Sequence, residues 1–164
     1  MSITFEKSFC TPAAIDKAWK FVSDPMQVVR CIPGAKITGQ VDAHTFAGLI
    51  QMKMGASTAT YAGTVKVLRV DENTHEVEIM GKGKDTTGRG SASLKMTGRV
   101  RPLATGGSEV TGTLEMNVLG LLAQIGSRLF SDVSSYMFNE FTSSVQGRLK
   151  SELAADAAEV KTAG

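Results

Sequence analysis

The sequence predicts an α+β fold in which one curved antiparallel sheet of about seven strands packs against a long C-terminal helix. Apolar residues spaced three and four apart mark this helix over residues 119–153. From Ala35 onward, apolar and polar residues alternate in segments separated by turn residues, which is typical of an antiparallel meander. Two helix-start signals, Thr11-Pro12 and Ser23-Asp24-Pro25, predict two short helices after the first strand.

The predicted strands are apolar on one face and polar on the other. They are residues 2–10, 37–41, 44–54, 60–70, 75–81, 89–101 and 108–118. A sheet of this kind is covered on one side only. The C-terminal helix would be about 50 Å long at a rise of roughly 1.5 Å per residue, so we expect it to cover that side.

The apolar stripe of the C-terminal helix needs such a partner. It comprises Leu122, Ile125, Leu129, Val133, Tyr136, Met137, Phe141, Val145 and Leu149. No proline interrupts residues 119–153, but Gly126 and Gly147 each weaken the helix by about 1 kcal/mol relative to alanine and are candidate bend positions.

Length and composition predict one globular domain. The chain has 164 residues, is 42% apolar and carries a net charge of +2. We assign residues 1–153 to the domain and 154–164 to a short polar tail. Basic residues are interspersed with acids, which argues against a nucleic-acid partner. The N-terminus lacks the pattern of a signal peptide and no stretch approaches about 18 apolar residues, so we expect a cytoplasmic location.

The inward positions of the strands combine glycines with methionines. A strongly curved sheet needs glycines in order to bend, and methionine suits the wall of a cavity that adapts to different guests. The alternative is that the glycines mark bulges and the methionines fill gaps in an ordinary core. Composition leaves both open. If a cavity exists, we expect its lining to include Phe46, Ile50, Met52, Tyr61, Gly63, Met96, Gly98, Leu114, Met116, Leu129, Val133, Tyr136 and Met137.

The predicted inward face carries little polar chemistry. Tyr61 and Tyr136 are its hydrogen-bond donors, and we find no inward acid, histidine or cysteine. His44 and His75 lie next to turns, where an exposed role is expected. We therefore predict no catalytic residue, no metal site and no cofactor. The glycine-rich stretch 81–90 lacks the Lys-Ser or Lys-Thr of a phosphate-binding loop and joins two strands, so we interpret it as a long hairpin.

Several short motifs together resemble the CoxG family, which takes its name from the CoxG subunit of carbon monoxide dehydrogenase. They are Thr11-Pro12 through Trp19, Ser23-Asp24-Pro25, Cys31-Ile32-Pro33-Gly34-Ala35, Tyr61-x-Gly63-x-Val65 and Gly81-x-Gly83-x-Asp85. The resemblance covers roughly residues 2–150. It implies the helix-grip fold of the START-like, Bet v 1-like (SRPBCC) superfamily, with a hydrophobic tunnel between the sheet and the C-terminal helix.

The resemblance also implies a function. Members of the family are associated with molybdenum hydroxylases of the carbon monoxide dehydrogenase type, in their maturation, membrane recruitment or quinone delivery. We therefore expect a non-enzymatic accessory protein that binds a quinone or lipid and docks on such an enzyme. The expected cavity mouth comprises Ile32, Pro33, Gly34, Gly81 and Gly83.

Two other functions remain open at this point. One is an assembly or maturation factor that binds no ligand, and the other is a cyclase- or aromatase-type enzyme of the same superfamily. Residues 154–164 are alanine-rich and polar, with too little apolar area to hold a bilayer, so we expect no stable membrane anchor.

Overall fold

The structure is a computed structural model that describes residues 2–163, and the side chains of these residues other than Phe5, Met54, Leu122, Ser127 and 152–163. The elements in chain order are β1 (Ser2–Thr11), α1 (Ile15–Val22), α2 (Pro25–Val29), β2 (Ala35–Asp42), β3 (Thr45–Met54), β4 (Ser57–Asp71), β5 (Glu76–Asp85), β6 (Gly90–Pro102), β7 (Ser108–Gly120), α3 (Leu121–Gln124) and α4 (Ser127–Ala163).

The seven strands form one antiparallel sheet in the order β1-β7-β6-β5-β4-β3-β2. Strands β2 to β7 are a meander, and β1 pairs with β7 at the far edge. The helices lie on one face of the sheet, here called the inner face. The predicted fold class, with two short helices after the first strand and a long C-terminal helix, is confirmed.

Strand β5 is longer than the sequence indicated. It continues to Asp85, where Asp85 pairs with Tyr61 of β4. Gly83 is paired on both sides, with Gly63 and with Ala92. Residues 81–90 lie in a hairpin, as predicted, but only residues 86–89 form its turn, and the two glycines that suggested a longer loop lie within the sheet.

The two early helices begin differently. Asp24 caps α2 as predicted, since its Oδ1 accepts a hydrogen bond of 3.0 Å from the Met26 amide, and Pro25 is the first helical residue. Helix α1, in contrast, begins at Ile15 rather than after Thr11. Thr11 is the last residue of β1, and its Oγ1 accepts a bond of 3.3 Å from the Ala13 amide.

The C-terminal helix is interrupted near its start. Strand β7 extends to Gly120, so the predicted helix start at residue 119 was wrong. Gly120 (φ 77°) and Gly126 (φ 87°) have left-handed backbone conformations and flank the short helix α3. A bend at Gly126 was predicted, whereas Gly147 lies inside α4, whose backbone continues to Ala163.

A row of glycines crosses three neighbouring strands of the sheet. Gly48, Gly63 and Gly83 lie at the same register on β3, β4 and β5. A Cβ at Gly63 would overlap the Lys82 carbonyl oxygen and lie 2.7 Å from Cα of Gly83, and a Cβ at Gly48 would lie 2.8 Å from the Lys36 carbonyl oxygen. Side chains larger than hydrogen do not fit at Gly48 and Gly63, which supports the prediction that glycines allow the sheet to bend.

Three separate clusters form the buried core. The Trp19 cluster joins α1 to the sheet, the Leu149 cluster joins α4 to α1 and the segment after α2, and the Tyr61 cluster joins α3 and the start of α4 to the other end of the sheet. Their buried members are Ala18, Trp19, Val77, Val100 and Val110; Ala13, Phe21, Cys31, Val145 and Leu149; and Ala59, Tyr61 and Val118.

Candidate ligand-binding site

Apolar side chains on the inner face between the Trp19 and Tyr61 clusters are only partly buried. Phe46, Leu94, Met96 and Leu114 lie there on the strands, are only partly buried, and belong to none of the three clusters. Gly112 adds a second observation, because no atom of the described residues lies within 4 Å of the position that a Cβ would take. An ordinary core packs closely over its apolar side chains, so the partial exposure of these four makes this region the candidate floor of a ligand site.

Helix α4 spans this floor and is attached near both ends. Phe130 and Val133 pack in the Tyr61 cluster, and Phe141 packs against the Leu149 cluster. Met137, between them, is partly buried and belongs to none of the clusters. The middle of the helix is therefore placed to form the roof of the same space.

Tyr136 does not face this space. Its side chain is 58% exposed, which contradicts its prediction as an inward hydrogen-bond donor. The inward stripe continues in steps of four from Val133 through Met137 to Phe141. A neighbouring residue is rotated by about 100° around a helix, which takes Tyr136 to the outer side.

The other residues predicted to line the cavity lie in different parts of the structure. Ile50, Met52 and Met116 pack in the Tyr61 cluster at one end of the floor, and Leu129 is partly buried on α4. Gly98 instead lies beneath α1, since a Cβ there would be 3.2 Å from Val77 Cγ1 and 3.5 Å from Val22 Cγ1. Gly63 belongs to the glycine row.

The predicted mouth residues do not form one group. Gly34 has φ 79° as expected, accepts a bond of 3.0 Å from the Gln51 amide, and follows the partly buried Ile32 and Pro33. Gly81 and Gly83 were expected in a loop, but they lie inside β5 on the inner face. The turn at that end consists of residues 86–89.

A polar pair lies under the Tyr61 cluster. Tyr61 is 4% exposed, and its hydroxyl has no hydrogen-bond partner among the described residues. Its cross-strand neighbour Asp85 is 4% exposed. Asp85 Oδ1 accepts bonds from the amide (2.7 Å) and hydroxyl (2.6 Å) of Thr87, and its Oδ2 lies 3.1 Å from Arg89 Nη2. The prediction that no acid faces inward was wrong, because β5 was expected to end before Asp85.

The environment fixes the charge of both groups. Hydrogen bonds from Thr87, followed by the ion pair with Arg89, hold the pKa of Asp85 below its usual value despite burial. Burial raises the pKa of Tyr61, and the charge of Asp85 raises it further against the opposing effect of Arg89. At neutral pH the pair is therefore an ionised carboxylate beside a protonated phenol.

The turn at residues 86–89 closes this end of the sheet. Arg89 Nη2 donates to the Thr58 carbonyl at 3.2 Å, and the Leu121 amide donates to the Arg89 carbonyl at 2.8 Å. The Thr86 amide donates to the Thr60 carbonyl at 2.9 Å. The polar pair therefore lies at a closed end, held between the turn and the start of α3.

A second charged side chain of the inner face lies at the β1 edge of the sheet. Lys7 of β1 pairs with Gly112 of β7, and its Nζ is 5.9 Å from the centroid of the Phe138 ring of α4. Lys7 is exposed. Sequence reasoning misses it because the apolar residues alone define the alternation of β1.

Two other features lie outside this space or are absent. No group of three or more His, Cys, Asp or Glu residues suited to a metal ion occurs in the part of the chain that the structure describes. A shallow cleft of about 620 Å³ lies between α2 and α4, lined by Gln27, Ser143, Ser144, Gly147, Arg148 and Ser151. It opens to solvent outside the sheet and helix grip, so we do not equate it with the predicted site.

The architecture is that of the START-like, Bet v 1-like class of helix-grip proteins. A conserved protein from Geobacillus kaustophilus superposes with a TM-score of 0.80 at 18% identity, covering 91% of this chain and 96% of that chain. The Zhui aromatase/cyclase from a Streptomyces species superposes with a TM-score of 0.66 at 10% identity, covering 93% of this chain and 96% of that chain. A START superfamily protein from Mycobacterium smegmatis superposes with a TM-score of 0.61 at 12% identity, covering 90% of this chain and 97% of that chain.

The sequence comparison is more specific than the fold. Residues 8–150 match the family of the CoxG subunit of carbon monoxide dehydrogenase, and the chain belongs to that family. No curated protein matches the chain. Within the described residues, no helix combines the length and apolar character needed to cross a membrane.

Proposed function

We propose that the protein binds an apolar small molecule, a quinone or a lipid, between the inner face of the sheet and α4. The observation that carries this proposal is the set of partly exposed apolar side chains on the middle of the inner face, Phe46, Leu94, Met96 and Leu114, together with the open space over Gly112. Such a concave, apolar region with few polar groups is the usual form of a small-molecule site.

Apolar burial would supply the affinity. At about 25 cal/mol per Å², a micromolar dissociation constant, about 8 kcal/mol, corresponds to roughly 330 Å² of apolar surface removed from water before the costs of association. A molecule with an extended apolar chain or several rings provides this area. The methionines Met52, Met96 and Met116 would adapt to its shape.

The same proposal assigns the protein an accessory role beside a molybdenum hydroxylase of the carbon monoxide dehydrogenase type. Membership of the CoxG family supports this partner. A non-enzymatic role is supported by Asp85, a buried inner-face acid: hydrogen bonds from Thr87 and the ion pair with Arg89 lower its pKa, so it is neither protonated to act as an acid nor strongly basic at neutral pH. The likeness to an aromatase/cyclase, at 10% identity, concerns the fold alone.

Domain extent and location belong to the proposal too. We place the ligand-binding domain at residues 1–153, with 154–164 as a tail. The cysteines Cys10 and Cys31 are both free, which is compatible with a reducing cytoplasm.

A matched pair of substitutions in β7 tests the ligand space. Leu114 lies on the inner face and is partly buried, whereas Leu119 lies on the outer face and is 63% exposed. We expect Leu114→Trp to fold normally and to lose uptake of menaquinone or ubiquinone, measured by quenching of the introduced and native tryptophan fluorescence. Leu119→Trp should bind as the wild type does.

Two results would contradict the proposal. In a filled core, the larger side chain of Leu114→Trp would lower the free energy of unfolding by roughly 1–3 kcal/mol. If the wild type took up no quinone or lipid, the space would not be a binding site at all.

A further inference from the structure

The Tyr61 hydroxyl is a buried donor that lacks an acceptor among the described residues. The residue is 4% exposed, and its oxygen has no hydrogen-bond partner among the described residues. Leaving such a group unpaired costs free energy, so buried hydroxyls in proteins nearly always bond to protein, water or ligand. Tyr61 also packs with Ile50, Met52 and Met116, which were predicted as part of the lining.

Asp85 determines which ligand groups can lie beside the Tyr61 hydroxyl. The carboxylate is the cross-strand neighbour of Tyr61; its Oδ1 accepts from Thr87, and its Oδ2 is ion-paired with Arg89 but has no hydrogen-bond partner among the described residues. The closed end therefore holds one unpaired donor, the Tyr61 hydroxyl, beside a buried negative charge. This negative charge in a water-poor setting would repel an anionic ligand, although Arg89 offsets part of that repulsion.

We propose that Tyr61 is the residue that recognises the polar head of the bound molecule, and that the closed end of the site selects a neutral head with a hydrogen-bond acceptor, such as a carbonyl, over a free carboxylate. The inference rests on the proposed ligand site and names the class of ligand that the site takes. The apolar part of the ligand would lie over the floor formed by Leu94, Met96 and Leu114, toward the edge of the sheet at which Lys7 is exposed.

Binding measurements with three probes separate the head from the apolar body. Pyrene has no polar head, decylubiquinone has neutral carbonyls, and dodecanoate carries a carboxylate at neutral pH. Tyr61→Phe retains the ring and removes the hydroxyl. We expect it to weaken decylubiquinone binding by about 3- to 10-fold, the effect of one hydrogen bond, and to leave pyrene binding unchanged.

Tyr136→Phe is the matched control, since it makes the same chemical change on the exposed side of α4. It should bind all three probes as the wild type does. Asp85→Asn removes the negative charge while keeping an oxygen for the Thr87 bonds. We expect it to strengthen dodecanoate binding at least about threefold relative to pyrene, because a buried like charge disfavours an anion.

The outcomes distinguish this inference from the ligand site itself. If the wild type binds neither pyrene nor decylubiquinone, the ligand site fails and the inference fails with it. If the wild type binds both and Tyr61→Phe binds decylubiquinone equally well, head recognition by Tyr61 is refuted while the ligand site stands. Equal losses for pyrene and decylubiquinone would also refute it, because Tyr61 would then act through packing.

Discussion

The glycine row gives the sharpest test of the sheet geometry. In Gly63→Ala the new Cβ would overlap the carbonyl oxygen of Lys82 and lie 2.7 Å from both Cα of Gly83 and the carbonyl carbon of Lys82. All three atoms are backbone, so no side-chain rotation relieves the overlap. Strands β4 and β5 must separate at the position where they pair.

The expected cost follows from this displacement. Overpacking a closely packed position costs about 1–3 kcal/mol, and a backbone obstacle places Gly63→Ala at the upper end, about 3 kcal/mol. For a chain of this length, 1 kcal/mol corresponds to about 2–4 °C in the melting temperature. We therefore expect Gly63→Ala to melt about 6–12 °C below the wild type.

Gly112→Ala is the matched control in β7. Within the part of the chain that the structure describes, no atom lies within 4 Å of its Cβ position, and its φ is not in the left-handed region. Alanine there should be neutral or should stabilise by about 0.5 kcal/mol through the unfolded chain. Thermal unfolding followed by circular dichroism measures both variants. A Gly63→Ala protein that melts with the wild type would refute the account of the curvature.

Two further predictions concern acid stability and the Gly34 turn. The pKa values of Asp85, Glu76 and Glu78 lie below normal in the folded protein, so in acid the unfolded chain binds more protons than the folded chain. The contribution of these carboxylates to the free energy of unfolding is complete above their unfolded pKa values of about 4. It is lost as the pH falls through their folded pKa values. Urea unfolding from neutral pH down to about pH 3 should show this loss, with a shallower slope in Asp85→Asn, and a stability that does not change over this range would contradict it. Gly34→Ala should destabilise more than Gly55→Ala in the same urea assay: both glycines have positive φ, but only at Gly34 would a Cβ overlap a backbone atom, the Gln51 carbonyl oxygen. Equal losses would show that the overlap relaxes freely.

The sequence predicted those features that depend on local pattern. Alternation of apolar and polar residues is a property of a strand facing a core, and it identified a sheet of the observed strand number. The capping role of Asp24 and the positive φ of Gly34 are likewise local, because each depends on a few adjacent residues.

The site was predicted less completely because its key residues depend on pairing between strands. The end of β5 at Asp85 is set by β4 and β6 on either side, while its own glycines suggested a loop. Tyr136 lies three residues after Val133, which fits a helical stripe, but the inward side chains of α4 follow at intervals of four residues. Which of the two stripes faces the sheet depends on the surface against which the helix packs. The open space over Gly112 depends on side chains from distant parts of the chain.

The most direct test of the central claim is native mass spectrometry, with organic extraction, of the protein purified from its own host. The account predicts a quinone or a neutral lipid bound at close to one molecule per chain. A protein that carries no such molecule, and that also takes up neither added menaquinone nor ubiquinone in a thermal-shift titration, would contradict the claim that the space beneath α4 is a ligand site.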